Sequence, residues 1–417
     1  MPADAAAATR APARPRPTPS ARSQKGFDWL NFFIADVETA FGPFVSVYLA
    51  QNGWAQGAIG TVLTVNSAVA LATETPAGAL VDWVRRKRLV IAVCLGLIAA
   101  GSLLIGFIPR YLPVMAGEFM HGVTGGAVRT AIAAIGLGLV GHRAYHTRVG
   151  RNQMYDSLGN AATAAGMGAL GYLVSPGAPF LAAAALCVPA YFCLSMINGR
   201  EIDYARARGA VGRKEPKGAP WRELARNRPL LIFALVLFLF QFADSSMLPL
   251  ASERLAKDYK DQSEIVTAAF VVVPQLVTAL IAVWLARKAD EWGRKPLLIA
   301  AFVALLARGV LFAVAFNPWF LVGVQALGGL TAAVVGIMIP LIVADVTKGT
   351  GRYNFSLGAV SMIAGIGATI SFTAMGFLAQ TLGFPVAFTG LSIVAGLGLL
   401  AVWLLMPETV DAARAED

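Results

Sequence analysis

The chain consists mainly of long apolar stretches separated by short polar loops. One of them, residues 89–108, carries no charge over about 20 residues, the length that an α-helix needs to cross a bilayer. Only helices and closed barrels satisfy the backbone hydrogen bonds in hydrocarbon, and we predict that these segments are helices. Twelve segments can be traced, at residues 27–50, 57–83, 89–108, 112–141, 152–175, 179–199, 229–250, 265–286, 297–316, 318–344, 355–380 and 384–406.

The composition agrees with this pattern. Of the 417 residues, 57% are hydrophobic and 14% are charged, whereas an ordinary soluble domain contains about 25% charged residues. The mean hydropathy is +0.64. These values exclude a water-soluble enzyme and an intrinsically disordered chain, and they predict an all-α polytopic membrane protein with twelve transmembrane helices.

The sequence divides into two similar halves. The longest polar stretch, residues 200–228, leaves six apolar segments on each side. Asp82 and Arg86 after segment 2 recur as Asp290 and Arg294 after segment 8, and two parallel six-helix repeats are typical of one transporter architecture. We predict a disordered cytoplasmic tail (1–25), two pseudo-symmetric halves (26–199 and 229–406), a cytoplasmic linker (200–228) and a second cytoplasmic tail (407–417).

The loop after segment 2 contains a recognisable motif. Residues 78–87 read GALVDWVRRK, which resembles the pattern G-x-L-x-D-(R/K)-x-G-(R/K)-(R/K) of the major facilitator superfamily. Trp83 and Arg85 depart from that pattern, and a more degenerate copy follows segment 8. Because the copies occupy matching places in a twelve-segment repeat, the resemblance covers essentially the whole chain and implies the fold of that family.

The resemblance also implies that the two motif loops act as a latch. In such a latch, a carboxylate at the end of one helix faces basic residues and a helix terminus of the other half, and so closes the cytoplasmic side. The alternative is that the basic residues serve only as a topology signal. The predicted latch residues are Gly78, Asp82, Arg86, Lys87, Asp290, Gly293, Arg294 and Lys295.

The basic residues predict the orientation of the chain. Most of the 34 Lys and Arg residues lie on the same side as the N-terminus, whereas the opposite loops hold only Arg110, Arg254, Lys257 and Lys260. This bias predicts that both termini are cytoplasmic, and the composition favours a bacterial inner membrane. Because the net charge of +10 lies along these loops, it indicates contact with the lipid bilayer rather than with nucleic acid.

Acidic residues inside the membrane are functional candidates, since an unpaired charge there costs several kcal/mol. They are Asp36, Glu38, Glu74, Glu118, Asp156 and Asp244. The segments hold only two arginines, Arg129 and Arg308, and this excess of acids favours cations or protons as the transported species. We predict Asp36 and Asp244 as proton-coupling residues, with Glu118 third; a satisfied hydrogen bond between helices is the alternative for each.

Segments 1 and 4 line the central cavity in the resembling fold. Asp36 or Glu38 in segment 1 is therefore a candidate partner for Arg129 in segment 4. Asn31 shares one side of segment 1 with Glu38, whereas Asp36 lies about 160° away around the helix. The two acids of segment 1 therefore cannot both face the cavity.

Other residues have less specific roles. Asp156 in segment 5 either contacts the substrate or pairs with Arg86, and Arg308 is expected to contact a neighbouring helix. The three cysteines lie in apolar segments and do not follow the spacing of a metal-binding or disulfide motif, so we predict neither a disulfide framework nor a metal site. No cofactor is expected.

Together, these features predict a proton-coupled secondary transporter that works by alternating access as a monomer. Export of a small cationic or amphipathic organic compound is the favoured activity. Import of an organic anion bound by Arg129 is the alternative, and a transport-dead receptor or scaffold is an alternative of another class. An enzyme is not expected, since the chain has only three histidines and no HExxH or GxSxG motif.

Overall fold

The computed structural model describes residues 19–39, 45, 48–49, 52, 54, 56–175, 177–209, 226–258 and 263–409. Side chains are outside this description at 36–39, 56–60, 63–64, 164, 168, 172, 252–253, 255–258 and 263–268. The described elements are all helical: α1 Ala21–Thr39, α2 Gln56–Trp83, α3 Lys87–Phe107, α4 Tyr111–Leu173, α5 Ala178–Met196, α6 Arg228–Ser245, α7 Met247–Asp258, α8 Ser263–Trp292, α9 Arg294–Val314, α10 Pro318–Val346, α11 Tyr353–Leu382 and α12 Phe384–Leu405, with 3-10 turns at Gly199–Glu201 and Arg206–Arg208.

The helices agree with the apolar segments in type and position. Within the described residues, nine helical stretches are long and apolar enough to cross a membrane. Two helices begin at asparagine caps: Asn227 accepts a hydrogen bond from the N–H of Leu230, and Asn317 accepts from the N–H groups of Trp319 and Phe320. The all-α membrane fold is therefore established, and the count of twelve spans remains a prediction.

The largest difference from the predicted segments lies in α4. Residues 142–151, expected to be a loop, are helical, and two helices meet at Gly141, whose φ of 70° and ψ of 171° are not helical. The first ends where segment 4 was predicted to end, and the second begins about ten residues before the predicted start of segment 5. Two of the polar residues that suggested a loop pair with the buried Asp28 of α1: Arg148, which is buried, and Arg151, which is 39% exposed.

The N-terminus of α1 also differs from expectation. The helix begins at Ala21, inside the predicted tail. Glu201 accepts hydrogen bonds from the N–H (2.9 Å) and hydroxyl (3.1 Å) of Ser20, and so anchors the start of α1. Burial alone would raise the pKa of Glu201, but these hydrogen bonds hold it below the usual range for glutamate.

Two hydrophobic cores organise the bundle. One is formed mainly by α6 to α12, with Leu137, Tyr145 and Val149 of α4 added. The other is formed by α1 to α5 and the segment after α5, down to Ala207. Each set of helices thus has its own core, and α4 contributes to both.

The helices α2 and α11 cross between the two halves, and so do α4 and α8. The crossings require small residues: a Cβ at Gly358 would lie 2.5 Å from the carbonyl oxygen of Glu74, and one at Gly150 would lie 2.9 Å from that of Ala282. These two contacts are related by the same offset of 208 residues that separates Tyr145 from Tyr353. The sequence repeat therefore corresponds to a repeat in packing.

Candidate functional site

Asp82 joins the two halves where α2 ends and α3 begins, which we call the basic end. Its carboxylate accepts hydrogen bonds from the side-chain amide of Asn354 (2.7 Å) and from the N–H of Phe355 (2.9 Å) in the first turn of α11. Asp82 thus lies at a helix N-terminus of the other half, where a negative charge is stabilised. Gly78, one turn earlier, packs so closely on the carbonyl of Asn354 that a Cβ would clash.

Asp290 makes the corresponding contact from the second half. His146 Nδ1 of α4 lies 2.5 Å from its carboxylate, and Arg294 of its own half donates to it at 2.8 Å. Arg294 also donates to Asp345 at 3.1 Å. Gly293 precedes α9 with a φ of 90°, and Lys295 donates its N–H to Glu408 at 3.1 Å.

Two tyrosine hydroxyls meet between these contacts. The oxygens of Tyr145 and Tyr353 are 2.8 Å apart, and both side chains are buried. Of the basic latch residues in the first half, Lys87 is buried, donates to the carbonyl of Val81 and interacts electrostatically with Asp82. Arg86 instead lines a cavity between α3 and α5, so the two basic residues are used differently.

The described contacts between α2 and α11 are grouped towards the basic end. Along the face of α2 that meets α11, Thr75 contacts Met362 and Leu71 packs against Gly365. One turn further, Ala68 of α2 is exposed, and so is Thr369 of α11. The described contacts between α2 and α11 therefore lie towards the basic end, and the two helices have exposed residues one turn beyond the last of these contacts.

Glu118 of α4 lies in a neutral polar cluster. Its side chain is fully buried, and its Oε2 accepts a hydrogen bond of 2.5 Å from the amide of Asn66 in α2. The same amide lies 3.0 Å from Nδ1 of His121. The other carboxylate oxygen, Oε1, has no hydrogen-bond partner in the described structure.

Arg129 of α4 interacts electrostatically with Asp156. Arg129 also donates from Nε to the carbonyl of Gly125 at 3.4 Å, and its side chain is exposed. Asp156 accepts a hydrogen bond of 3.2 Å from Asn160. The basic neighbour of Asp156 is thus Arg129 rather than the expected Arg86, and a contact of Asp156 with substrate remains a prediction.

Asp244 is paired with Arg308. Nη1 of Arg308 donates to the Asp244 carboxylate at 2.6 Å, and Arg308 is almost fully buried while Asp244 is 30% exposed. Gln325 of α10 is buried beside Arg308, since both side chains lie 3.1 Å from the Cβ position of Gly328. Arg308 therefore contacts another helix, as expected, and its partner is one of the predicted proton-coupling acids.

Segment 1 contributes one described candidate. Asn31 donates to the carbonyl of Phe27 at 2.6 Å and to Asn152 of α4 at 3.4 Å, so it belongs to a polar contact between helices. Asp36 and Glu38 lie in α1, but their side chains are outside the described part of the structure. Their roles remain predictions.

Comparisons with known proteins agree on one family. The model of the Major Facilitator Superfamily matches residues 29–305 and 234–416. The chain belongs to the major facilitator superfamily. It is therefore a multi-pass membrane transporter by family, and the resemblance in the motif loops is confirmed.

The similar proteins differ in sequence identity and in the share of the chain that they cover. An uncharacterized MFS-type transporter of Mycobacterium tuberculosis is 37% identical over 94% of both chains. Citrate exporter 1 of Aspergillus niger is 27% identical over 34% of this chain and 26% of its own length. The crystal structure of the human organic anion transporter MFSD10 has a TM-score of 0.73 over 91% of this chain and 99% of its own, at 16% identity, and it supports the fold alone.

Several residues of this MFS transporter were not found from the sequence. Asn354 and the pair Tyr145 and Tyr353 join the halves. The sequence did not identify them, because they are uncharged and match no motif. The offset of 208 residues could have found them, because it relates Tyr145 to Tyr353 just as it relates Asp82 to Asp290. It likewise relates His146 to Asn354, the partners of the two latch acids.

Proposed function

We propose that this transporter is proton-coupled and that Glu118 carries the proton. The observation that supports this is the burial of Glu118 beside a neutral amide, with one carboxylate oxygen unpartnered. A carboxylate buried without a cation is costly in its ionised form. It is therefore protonated in this conformation and releases its proton once the cleft exposes it.

Other acids are weaker candidates for this role. Asp244 is neutralised by Arg308 at 2.6 Å, and Asp156 interacts with Arg129. Both can remain ionised throughout the cycle without a proton. Asp36, one of the two first candidates from the sequence, becomes the second candidate, on the sequence argument alone.

The contacts between the halves support alternating access. The two latch acids, the tyrosine pair and the crossing of α2 with α11 hold the basic end together, while Ala68 and Thr369 are exposed beyond it. With both termini and the basic loops in the cytoplasm, this conformer is open to the outside. The Mycobacterium tuberculosis relative supports a bacterial plasma membrane, and we propose a monomer as the transporting unit.

For the substrate, we propose a small cationic or amphipathic organic compound that leaves the cell in exchange for protons. Glu118 lies in a fully buried environment with no paired arginine in the described residues, so a cation that competes with a proton for this carboxylate is the simplest substrate. Substrate binding and proton binding would then exclude each other, as antiport requires.

An organic anion is the second candidate, and Arg129 supports it. The side chain of Arg129 is exposed, and a substrate carboxylate could replace Asp156 as its partner. The partial similarity to a fungal citrate exporter points the same way. A transport-dead receptor would instead bind ligand without any flux.

The test uses proteoliposomes that contain a pH-sensitive dye. We expect a subset of organic cations to trigger proton movement with the wild type, and we expect Glu118→Gln, which lacks the shared carboxylate, to bind these cations more weakly and to move no protons. Glu291→Gln is the matched control, because Glu291 is exposed and its partner in the described structure is Lys288 of the same helix. Full coupling in Glu118→Gln would refute the assignment, and its loss in Asp36→Asn alone would move the proton site to α1.

The anion candidate is tested in the same vesicles. Flux of citrate or another polycarboxylate that disappears in Arg129→Gln but persists in Glu118→Gln would establish that alternative. Specific binding with no flux of cations or anions would instead support the receptor. Cation-driven proton release that survives in Arg129→Gln would exclude the anion candidate.

A further inference from the structure

A cavity of about 470 Å³ lies at the basic end, outside the cleft between the halves. It is bounded by Arg86, Arg88 and Leu89 at the start of α3 and by Tyr191 near the end of α5, with Tyr204 beyond α5. Tyr191 donates its hydroxyl hydrogen to a backbone carbonyl of α3, which ties the two helices together. The cavity is thus a formed recess between packed helices.

An adjoining recess of about 330 Å³ extends this site. It shares Arg88 with the first recess and adds Arg22 of α1. Its one carboxylate belongs to Glu201, which accepts the two hydrogen bonds from Ser20. The combined site therefore has three guanidinium groups on its walls.

Arg86 and Arg88, at the start of α3, have no partner of opposite charge among the described residues. In the part of the chain that the structure describes, no carboxylate pairs with Arg86 or Arg88. Nε of Arg88 is buried and has no hydrogen-bond partner there. A buried guanidinium N–H without an acceptor is unfavourable, so the site has room and unused donors for an anion.

In the second half, carboxylates of the protein pair with the arginine that corresponds to Arg86. Arg294, 208 residues after Arg86, pairs with Asp290 and Asp345. Glu408 accepts the first N–H groups of α9, at 2.9 Å from Arg294 and 3.1 Å from the next residue. At the same offset, Asp345 corresponds to Leu137 and Glu408 to Arg200. The first half therefore lacks both carboxylates at this position and has a cavity beside the corresponding helix start.

The cavity lies at the boundary of the hydrophobic belt. The spans on either side of it begin at Lys87 and end at Met196. Just inside these ends, both helices have exposed apolar side chains: Leu89 is 54% exposed and Phe192 is 66% exposed. An occupant would thus meet arginines at one end and the lipid-facing surface of α3 and α5 at the other.

We infer that this cavity binds the phosphate group of an anionic phospholipid. Arg86 and Arg88 donate hydrogen bonds to the phosphate oxygens, for which the planar guanidinium is suited. The acyl chains run along the exposed apolar surface at Leu89 and Phe192. The lipid takes the place that the carboxylates of Asp345 and Glu408 hold in the second half, and so fixes the start of α3 next to the latch.

The test measures lipid binding to the purified full-length protein by native mass spectrometry, with phosphatidylglycerol and phosphatidylcholine as probes. We expect phosphatidylglycerol to be retained preferentially. Arg88→Gln should weaken its binding about fivefold, the effect of one basic residue near an anionic surface. Arg85→Gln is the matched control, since Arg85 is exposed in the same loop and is not part of the cavity wall. This variant should bind phosphatidylglycerol as strongly as the wild type does.

Two further measurements keep the test decisive. Arg88→Lys, which keeps the charge, should bind more phosphatidylglycerol than Arg88→Gln, and a thermal shift should confirm that each variant is folded. Inorganic phosphate at millimolar concentration should not displace the lipid. Equal retention of the two lipids, equal loss in Arg85→Gln and Arg88→Gln, or displacement by inorganic phosphate would each overturn the lipid site.

Discussion

Removal of the Asp82 carboxylate should shift the equilibrium between the two access states. Asp82 accepts two hydrogen bonds from the other half, at 2.7 and 2.9 Å, and a hydrogen bond to a charged group contributes about 1.5–3 kcal/mol. Asp82→Ala should therefore disfavour closure of the basic end by about 3 kcal/mol, or about a hundredfold in the population ratio. Asp290→Ala should have a smaller effect, because the described contact of Asp290 with the other half is a single one, to His146, while Arg294 belongs to its own half.

Spin labels at Ala68→Cys and Thr369→Cys report this shift as a distance across the open part of the cleft. The three native cysteines are buried and should label slowly. We expect a single long distance in the wild type and a second, shorter distance in Asp82→Ala, with Glu291→Ala as the silent control. A distribution in Asp82→Ala that matches the wild type, or a larger shift in Asp290→Ala, would refute the latch as we describe it.

Three further variants test the packing and the charge pairs. Arg308→Met leaves Asp244 without its partner and should lower stability by about 3 kcal/mol, seen as a lower Tm, and adding Asp244→Asn should recover most of the loss. Gly78→Ala places a Cβ against the carbonyl of Asn354 and should abolish transport, whereas Gly166→Ala, which meets nothing within 4 Å, should transport normally. Tyr353→Phe removes the hydroxyl that meets Tyr145 and should cost about 1 kcal/mol of closure, a fivefold change in the same distance populations.

Much of the fold could be predicted from the sequence, because membrane spans depend on local hydrophobicity. The prediction was wrong at residues 142–151, where Arg148 and Arg151 resembled a loop. Both arginines pair with Asp28, 120 residues before Arg148, and Arg148 is buried there. Hydrophobicity along the chain cannot reveal a partner so distant in sequence.

The candidate site was predicted only in part for the same reason. The sequence identifies Glu118, Asp156 and Asp244 as costly charges, but the partner of each decides its role. Asp244 has Arg308, whereas Glu118 has only an amide from Asn66. Similar residues in similar segments therefore have different chemistry, and their order as proton-coupling candidates changes once the contacts are known.

The two halves share a backbone repeat but balance their charges differently. In the second half, Arg294 and Arg308 each pair with a carboxylate of the same half. In the first half, a carboxylate at Glu118 and guanidiniums at Arg86 and Arg88 lack a paired opposite charge in the described structure. Groups of this kind bind ligands that supply the missing charge: a proton or cation at Glu118, and an anionic lipid at the arginines. We therefore expect variants at these three residues to change ligand dependence, and Arg308→Met to change stability alone.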